Sequence, residues 1–454
     1  MPLIESFSGI RGIYGESLTQ EVAQHYARAY RSFLIDKTSK KKLSIVLAMD
    51  TRPSSKEIHD AMASYFEEAY DLTCLPTPIA ENSVREYHAD GGIIITASHN
   101  PPAYNGFKFL DADGAVLRPH DAQRVISLYH FPEKETSVNN GNRSIDKHKE
   151  GIALYVKFIT KIMGNKALQM IRNAHPKLLL DPNGGAGIVY HEVLRELEIP
   201  ADVINSTLGK FAREIEPTAS SLHGLKASIS RGGYAIAAGF DCDADRVELA
   251  TREGIISGNY VLALVVDAVL SSLPNAKAER VIVNDATSRV VHEIVARFGA
   301  KVKEVPVGEI YVVDAMKKEQ AKVGGEGSSG GSIVAPSTCR DGLLSLLFVL
   351  KLAAERKMPV QDIIGSYPKY HTVRKDIPAK GFLKKRQRIR EYYSRKGYQV
   401  TEGDSIKIVV DDATFVWFRQ SKTEAGLLRI IIDTKEQHRI KLLLDEAQRL
   451  VGKI

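Results

Sequence analysis

The 454-residue chain is 44% hydrophobic and 26% charged, with 34 glycines, 18 prolines, 3 cysteines and a formal charge of +7. This length exceeds what one hydrophobic core supports, and about 150 residues per domain suggests roughly three domains. The composition excludes wholesale disorder, and the apolar run around Leu343–Leu350 is too short to span a bilayer. The opening MPLIESFSGIRG places Glu5 and Arg11 where a signal peptide needs apolar residues. Cys74, Cys242 and Cys339 lie too far apart for a disulfide framework or a cysteine zinc site. A soluble, cytoplasmic, multi-domain protein is expected. The positive charge permits nucleic acid, membrane or anionic small-molecule partners and selects none of them.

In chain order, Leu43–Asp50 is a strand-like apolar run ending in Asp, followed by a turn and an amphipathic helix over roughly Ser55–Tyr70. A buried strand, Ile93–Thr96, leads into a polar loop. Pro132–Gly151 is charged, Asn-rich and without apolar periodicity, which predicts a linker. Leu178–Asp181 and Val281–Asp285 repeat the first pattern, with helices over Val189–Leu197 and Ser288–Phe298. Continuous apolar runs predict strands buried on both faces, as in parallel α/β sheets. The domain-sized intervals between the repeats predict three related α/β domains. Softer breaks fall near Thr251–Ser257 and Gly365–Gly381. Beyond them come a basic helix, short strands over Ser405–Val410, Phe415–Arg419 and Leu427–Asp433, and a C-terminal helix. The expected division is 1–147, 148–251, 252–367 and a smaller α+β domain over 368–454.

Four segments carry chemistry. In Gly91–Gly106, Ser98 and His99 follow a buried strand, and Lys108 supplies positive charge nearby, so Ser98 is a candidate nucleophile or phosphate carrier. The bland alternative is that Ser, His and Asn simply suit a turn. In Ala235–Arg246, Asp241, Asp243 and Asp245 alternate after an apolar strand. Carboxylates this close require a cation, and hard oxygen donors favour Mg²⁺. An EF-hand fails, because Arg246 and Arg252 stand where its Gly and Glu belong. Gly324–Gly331 offers Glu326 and its serines to a ligand, or is an ordinary surface loop. Its G-x-S-x-G pattern suggests hydrolysis through Ser329, but Pro336 interrupts the helix that a nucleophile elbow needs. Arg419–Arg429 concentrates the donors that a phosphate dianion requires, or is an exposed hairpin.

Two further segments are weaker. Asp181–Gly187 lacks the third glycine of a dinucleotide loop. Lys384–Lys396 carries seven basic residues. Its stripe of Phe382, Ile389 and Tyr393 predicts a solvated amphipathic helix rather than a nucleic-acid site.

Taken together, the four segments resemble the α-D-phosphohexomutase family, in the family's order and across essentially the whole chain. Thr96–Pro101 matches the phosphoserine loop T-A-S-H-N-P, and Asp241–Arg246 matches the metal loop D-G-D-A-D-R except at Cys242. Gly324–Ser329 resembles the sugar loop G-G-E-x-S-G, with Ser328 and Ser329 sharing the serine position. Arg419–Ala425 resembles the phosphate loop R-x-S-G-T-E-P, with Lys422 for Gly and Ala425 for Pro. Ser8–Gly12, Asp50–Arg52, Pro76–Pro78 and Tyr104–Lys108 are similar to smaller family elements.

The resemblance implies three related α/β domains and a fourth around a central cleft. It implies that Ser98 carries a phosphoryl group, with Mg²⁺ held by Ser98, Asp241, Asp243 and Asp245. Arg11, His99 and Lys108 would be catalytic groups, with Lys108 moving a proton. Arg246, Glu326, Ser328, Arg419, Ser421, Lys422, Thr423 and Arg429 would bind substrate. The implied partners are hexose 1-phosphate, hexose 6-phosphate and hexose 1,6-bisphosphate, handled by a monomer or homodimer. Val307–Val312 looks closer to the V-G-D-x-Y-V of glucosamine-type members. The alternative expectation is a phosphosugar-binding protein with degraded catalysis.

Overall fold

The computed structural model describes residues 3–132, 143–378, 382–421 and 426–452, with the side chains of 329, 383 and 384 outside that description. The strands form four sheets.

The first holds β1 (Ile4–Ser6), β2 (Gly9–Ile13), β3 (Ser44–Met49), β4 (Glu68–Cys74), β5 (Gly91–Ile95), β6 (Tyr104–Asp111) and β7 (Arg143–Asp146), in the order β1-β2-β6-β5-β3-β4-β7. The second holds β8 (Leu178–Asp181), β9 (Ala201–Val203), β10 (Ile236–Phe240), β11 (Val247–Ala250) and β12 (Ile255–Ile256), in the order β12-β11-β10-β8-β9. The third holds β13 (Arg280–Asn284), β14 (Lys301–Val305), β15 (Val323–Glu326) and β16 (Gly331–Val334), in the order β14-β13-β15-β16. The fourth holds β17 (His371–Pro378), β18 (Gln399–Glu402), β19 (Ile406–Asp411), β20 (Thr414–Gln420) and β21 (Leu427–Thr434), all antiparallel, in the order β17-β21-β20-β19-β18.

The repeat read from sequence is the organising unit of the first three sheets. In each, the apolar run ending in Asx (β3, β8, β13) is central and parallel to both neighbours. The third strand of each unit then turns back into an antiparallel one: β5 into β6, β10 into β11, β15 into β16. That turn holds the serine loop in the first unit, the acidic loop in the second and the glycine loop in the third. All three loops therefore leave the carboxyl ends of parallel strands, where open α/β sheets place their ligands.

One apolar cluster runs from Val46 and Leu110 through Leu180 and Phe240 to Val283 and Leu346, so the three units share a core. The fourth sheet has its own core around Ile389, Tyr393, Phe418 and Ile430. It also meets the third unit through Phe415, Trp417 and Ile431, which pack with Ala286.

Several boundaries differ from expectation. The helix predicted over 55–70 stops at Ala63, and Glu68–Cys74 is a strand. Parallel pairing with β3 claims that segment, overriding its local helical pattern. The expected linker 132–151 contains β7, paired with β4, and a helix beginning at His148, while 133–142 lie outside the described residues. β7 is a short, mostly exposed edge strand, so no apolar periodicity marks it. β12 pairs with β11, which carries the second sheet past residue 251.

Asn284, not Asp285, is the third unit's counterpart of Asp50 and Asp181. In each unit the side chain accepts the N–H two residues on: Arg52, Asn183 and Ala286. The run at Leu343–Leu350 lies in a helix, Gly342–Arg356, that is buried from Gly342 through Leu352. Among the described residues no helix is long and apolar enough to cross a membrane.

The basic helix spans Phe382–Arg395, and its predicted stripe of Phe382, Ile389 and Tyr393 is buried. Several of its charges pair locally: Arg386 and Arg390 with Glu402, Arg395 with Glu391, and Lys396 just beyond it with Glu446.

Candidate active site

The β5–β6 turn places Ser98 with φ 51°, a left-handed conformation that costs a non-glycine residue about 1–3 kcal/mol. Arg52 holds that turn. Its Nη2 donates to the carbonyls of Ser98 (2.8 Å) and Asn100 (2.7 Å), and its Nη1 to those of Pro101 (2.7 Å) and Tyr104 (3.0 Å). Its Nε donates to Asp50 Oδ2 at 3.0 Å, so all five guanidinium donors are used. Thr96 Oγ1 and Ser55 Oγ donate to the same Asp50 carboxylate, each 2.8 Å or less away. Arg11 Nη1 donates to Asn100 Oδ1 at 2.8 Å.

The hydroxyl held there donates to Asp241 Oδ2 at 3.1 Å, across the boundary between the first and second units. Asp241, Asp243 and Asp245 are 0%, 1% and 0% exposed, and one oxygen from each lies within 4.8 Å of the others. Burial and its two neighbours push the Asp241 carboxyl well up. Burial would raise Asp245 too, but Arg340, Lys108 and Arg246 more than offset it and hold Asp245 below the usual carboxylate range. Asp243 Oδ1 and Asp245 Oδ1 are buried without a hydrogen-bond partner. Orphaned carboxylate oxygens in such a set suit a hard divalent cation.

Left-handed backbone in the acidic loop sits on Ala244 (φ 55°) and not on Cys242, so the cysteine stands without the strain a loop glycine would relieve. Cys242 Sγ faces Thr51 Oγ1 at 3.7 Å. Thr77 Oγ1, at the start of the helix Thr77–Glu86, donates to Asp243 Oδ2 at 2.8 Å, a second tie between the first unit and the acidic loop.

Lys108 Nζ lies 2.8 Å from Asp243 Oδ2 and 3.3 Å from Asp245 Oδ2. Burial lowers its proton affinity, but the two carboxylates win and hold it above the ordinary lysine range. That is opposite to the lowering a proton-carrying lysine needs. His99 Nδ1 is 3.5 Å from Ser98 Oγ, and burial followed by Arg246, Arg11, Arg374 and Arg429 keeps the ring neutral. Burial and Arg246 bring Arg11 down to about 10.

The sugar-loop carboxylate is already engaged. Glu326 Oε1 accepts from Asn284 Nδ2 (3.0 Å) and Gly308 N (2.8 Å), and Oε2 lies 3.1 Å from Arg340 Nη1. Ser328 Oγ is 3.5 Å from Asn284 Nδ2. Gly330 turns the loop with φ 69°, and its carbonyl accepts from Val247 N, the residue after the acidic loop. A strand, β16, follows the loop where an elbow would need a helix.

One cleft gathers Arg11, His99, Lys108, Arg246, Glu326, Ser328, Arg419, Ser421 and Arg429. Ser98 and the three aspartates are buried and do not line it, but they contact lining residues: Ser98 meets His99, Asp243 and Asp245 meet Lys108, and Asp241 and Asp245 meet Arg246. Lys422 and Thr423 lie outside the described residues, as does the side chain of Ser329.

The cleft also holds residues that no motif marked, Phe7, Glu216, Arg340, Arg374 and Trp417, together with Glu309 of the Val307–Val312 segment. Arg340 is the most connected of these, at 2.7 Å from Asp245, 3.1 Å from Glu309 and 3.1 Å from Glu326. Its only sequence signal is a position just before Asp341 and an apolar helix, which says nothing about the carboxylates it meets.

Residues 5–135 match the family description "Phosphoglucomutase/phosphomannomutase, alpha/beta/alpha domain I", and residues 257–370 match domain III of the same description. The chain is 30% identical to the probable phosphoglucosamine mutase of Methanopyrus kandleri, covering 97% of this chain and 95% of that protein. It is 29% identical to a phosphoglucomutase/phosphomannomutase of Thermococcus kodakarensis, covering 98% and 97%. The crystal structure of a Burkholderia thailandensis phosphoglucomutase/phosphomannomutase family protein superimposes with a TM-score of 0.81 at 21% identity, over 99% of this chain and 97% of that one. With the four loops assembled on one cleft and these likenesses spanning nearly its whole length, the chain belongs to the α-D-phosphohexomutase family of hexose-phosphate mutases.

Proposed function

We propose that the chain moves a phosphoryl group reversibly between the 1- and 6-positions of a hexose phosphate, through phospho-Ser98 and a hexose 1,6-bisphosphate. The carrying observation is Ser98 Oγ on a clamped turn, buried and 3.1 Å from one of three buried aspartates, next to His99, which lines a cleft whose charged residues are mostly cationic. Asp241, Asp243, Asp245 and the Ser98 oxygen would hold Mg²⁺, the cation their hard oxygens suit. When bound, it would neutralise charge on the transferring group and on the departing serine oxygen.

The remaining work falls to the chain. Arg419, Ser421 and Arg429, with Lys422 and Thr423, anchor the substrate's own phosphate, which presents the free hydroxyl to phospho-Ser98. A bond forms from that hydroxyl oxygen to phosphorus as the phosphorus–Ser98 bond breaks, and the hydroxyl's proton ends on the departing Ser98 oxygen, which becomes the serine hydroxyl again. The bisphosphate then returns its other phosphoryl group to Ser98 by the reverse of the same step. Lys108, kept protonated by Asp243 and Asp245, and Arg246 place positive charge beside the transferring group. Neutral His99, with Nδ1 3.5 Å from the serine oxygen, helps to orient that oxygen. Glu326 and Ser328 face the ring hydroxyls, and positioning supplies most of the rate. The Val307–Val312 segment supports a glucosamine substrate, and its Gly308 N–H fixes Glu326.

The test is turnover of glucose, mannose and glucosamine phosphates with Mg²⁺ and a trace of hexose bisphosphate. Conversion of at least one is expected, and binding without turnover would establish the degraded alternative instead. Intact-mass measurement should show a phosphoryl adduct that disappears in Ser98→Ala. An adduct that persists would move the carrier elsewhere.

A further inference from the structure

Two charged cleft residues, Glu216 and Arg374, belong to none of the four loops. Arg374 lies on β17 opposite Ile431, and Asp376, two residues on, lies opposite Arg429. Across the next ladder Arg429 pairs with Arg419, and Ile431 with Trp417. Alternate residues of a strand share a face, so Arg374 stands on the face that carries Arg419 and Arg429, in the next row, a step of about 7 Å along the strand.

Its guanidinium is held at both ends. Nη2 is 3.1 Å from Asp376 Oδ2, and the Asp376 carboxylate also takes Arg429 Nε at 2.9 Å and Nη2 at 3.1 Å. Nη1 is 3.1 Å from Glu216 Oε1, the oxygen that Arg246 Nη1 approaches to 3.3 Å. A chain of alternating charge, Arg246, Glu216, Arg374, Asp376, Arg429, thus crosses the cleft from the acidic loop to the flank of the phosphate loop. Arg374 and Arg429 also depress the proton affinity of His99, so their charge is felt beside Ser98.

We propose that Arg374 is a further ligand of the substrate's anchored phosphate, and that Glu216 occupies its guanidinium until that phosphate arrives. The proposal rests on the hexose-phosphate function given above. Arg374 and Glu216 side chains are 30% and 25% exposed and both line the cleft, so water partly screens their ion pair and an incoming dianion can reach and displace it. A phosphate brings twice the charge of a carboxylate and more acceptor oxygens, and a planar guanidinium can meet two of them at once. Glu216 acts through Arg374 as a positioning residue. It holds the guanidinium in the cleft and makes phosphate binding an exchange of anions rather than an addition to an unpaired site.

The probes are inorganic phosphate and glucose 6-phosphate, titrated calorimetrically into the full chain, beside steady-state kinetics on the hexose phosphate that turns over. Arg374→Met should weaken both ligands and raise KM about tenfold or more while kcat changes little, the signature of lost uniform binding. Arg374→Lys should recover part of the loss. Glu216→Gln should tighten phosphate severalfold, and that gain should shrink in the Arg374→Met background. Thermal melting of each variant identifies any that fail to fold, in which case Arg374→Lys alone decides through its intermediate affinity. Unchanged binding in Arg374→Met, or weaker binding in Glu216→Gln, would overturn the proposal. So would a wild-type chain that binds neither probe. A wild type that binds both but turns over no hexose phosphate would refute the mutase function and leave the Arg374 measurements decisive.

Discussion

Arg52→Lys tests whether one buried guanidinium holds Ser98 in place. Both Arg52 and Asp50 side chains are 0% exposed, and the guanidinium spans the four carbonyls of Ser98, Asn100, Pro101 and Tyr104. Lysine keeps the charge but has only three donors. With one donor on Asp50, at least two of the four carbonyls lose a charged partner. At about 1.5–3 kcal/mol for each such hydrogen bond, the loop loses roughly 3–6 kcal/mol. That exceeds the margin needed to keep Ser98 in its left-handed turn, which costs about 1–3 kcal/mol.

Three consequences follow. The melting temperature should fall by roughly 6–12 °C, taking about 2–4 °C per kcal/mol for a unit of this size and the lower end of the loss. Because Arg52 does not line the cleft, KM should stay nearly constant. A serine displaced by about 1 Å costs on the order of a hundredfold in kcat. Steady-state kinetics, intact-mass phosphoserine occupancy and thermal melting check the three consequences. Wild-type kcat together with a wild-type melting temperature would refute the clamp.

Asp341 caps the helix Gly342–Arg356 through Leu344 N and accepts the Tyr155 hydroxyl at 2.7 and 2.8 Å, and burial pushes its carboxyl up to about 6. A raised carboxyl contributes stability that is present below pH ~4 and lost as pH rises through ~6, about 3 kcal/mol for a shift of about two units. Asp341→Asn keeps the cap, so its melting temperature should exceed that of wild type at pH 7 and the difference should vanish near pH 4; equal values across the range would contradict this. Arg340→Met removes the cation shared by Asp245, Glu309 and Glu326 and should cost about 3–5 kcal/mol, read by denaturant unfolding, and an unchanged midpoint would remove Arg340 as the tie between loops. Ile389→Ala, at a fully buried position, should cost about 2–5 kcal/mol, whereas Arg388→Glu on the same helix's exposed side should stay within about 0.5 kcal/mol; the reverse order would mean the basic face is structural.

The chemistry was legible in sequence because each loop's reactive groups are contiguous. Ser98 with His99, the three alternating aspartates, and Glu326 with Ser328 each occupy one turn, so type and spacing mark them as candidates. The repeat was legible for a related reason. A strand flanked by parallel neighbours is covered on both faces and must be apolar throughout, which leaves runs such as Leu178–Asp181 visible. Edge strands carry no such constraint, so β7 was hidden inside an expected linker, and the parallel pairing of β4 was masked by a helical pattern over 55–70. The one-residue shift from Asp285 to Asn284 was also out of reach, because the two side chains look alike until the turn hydrogen bond selects one.

By itself, then, the sequence determined the family, the three-fold α/β repeat and the presence of the acidic triad, and it pointed to Ser98 as the candidate nucleophile, since these depend on local spacing and on burial periodicity. Tertiary structure alone decided which charges meet. Arg340 reaches carboxylates 14, 31 and 95 residues away, Glu216 meets an arginine 158 residues on, and Lys108 is held protonated by aspartates 135 and 137 residues away. Coulombic pairing acts through space, and only the convergence of four loops on one cleft brings those groups within reach of each other.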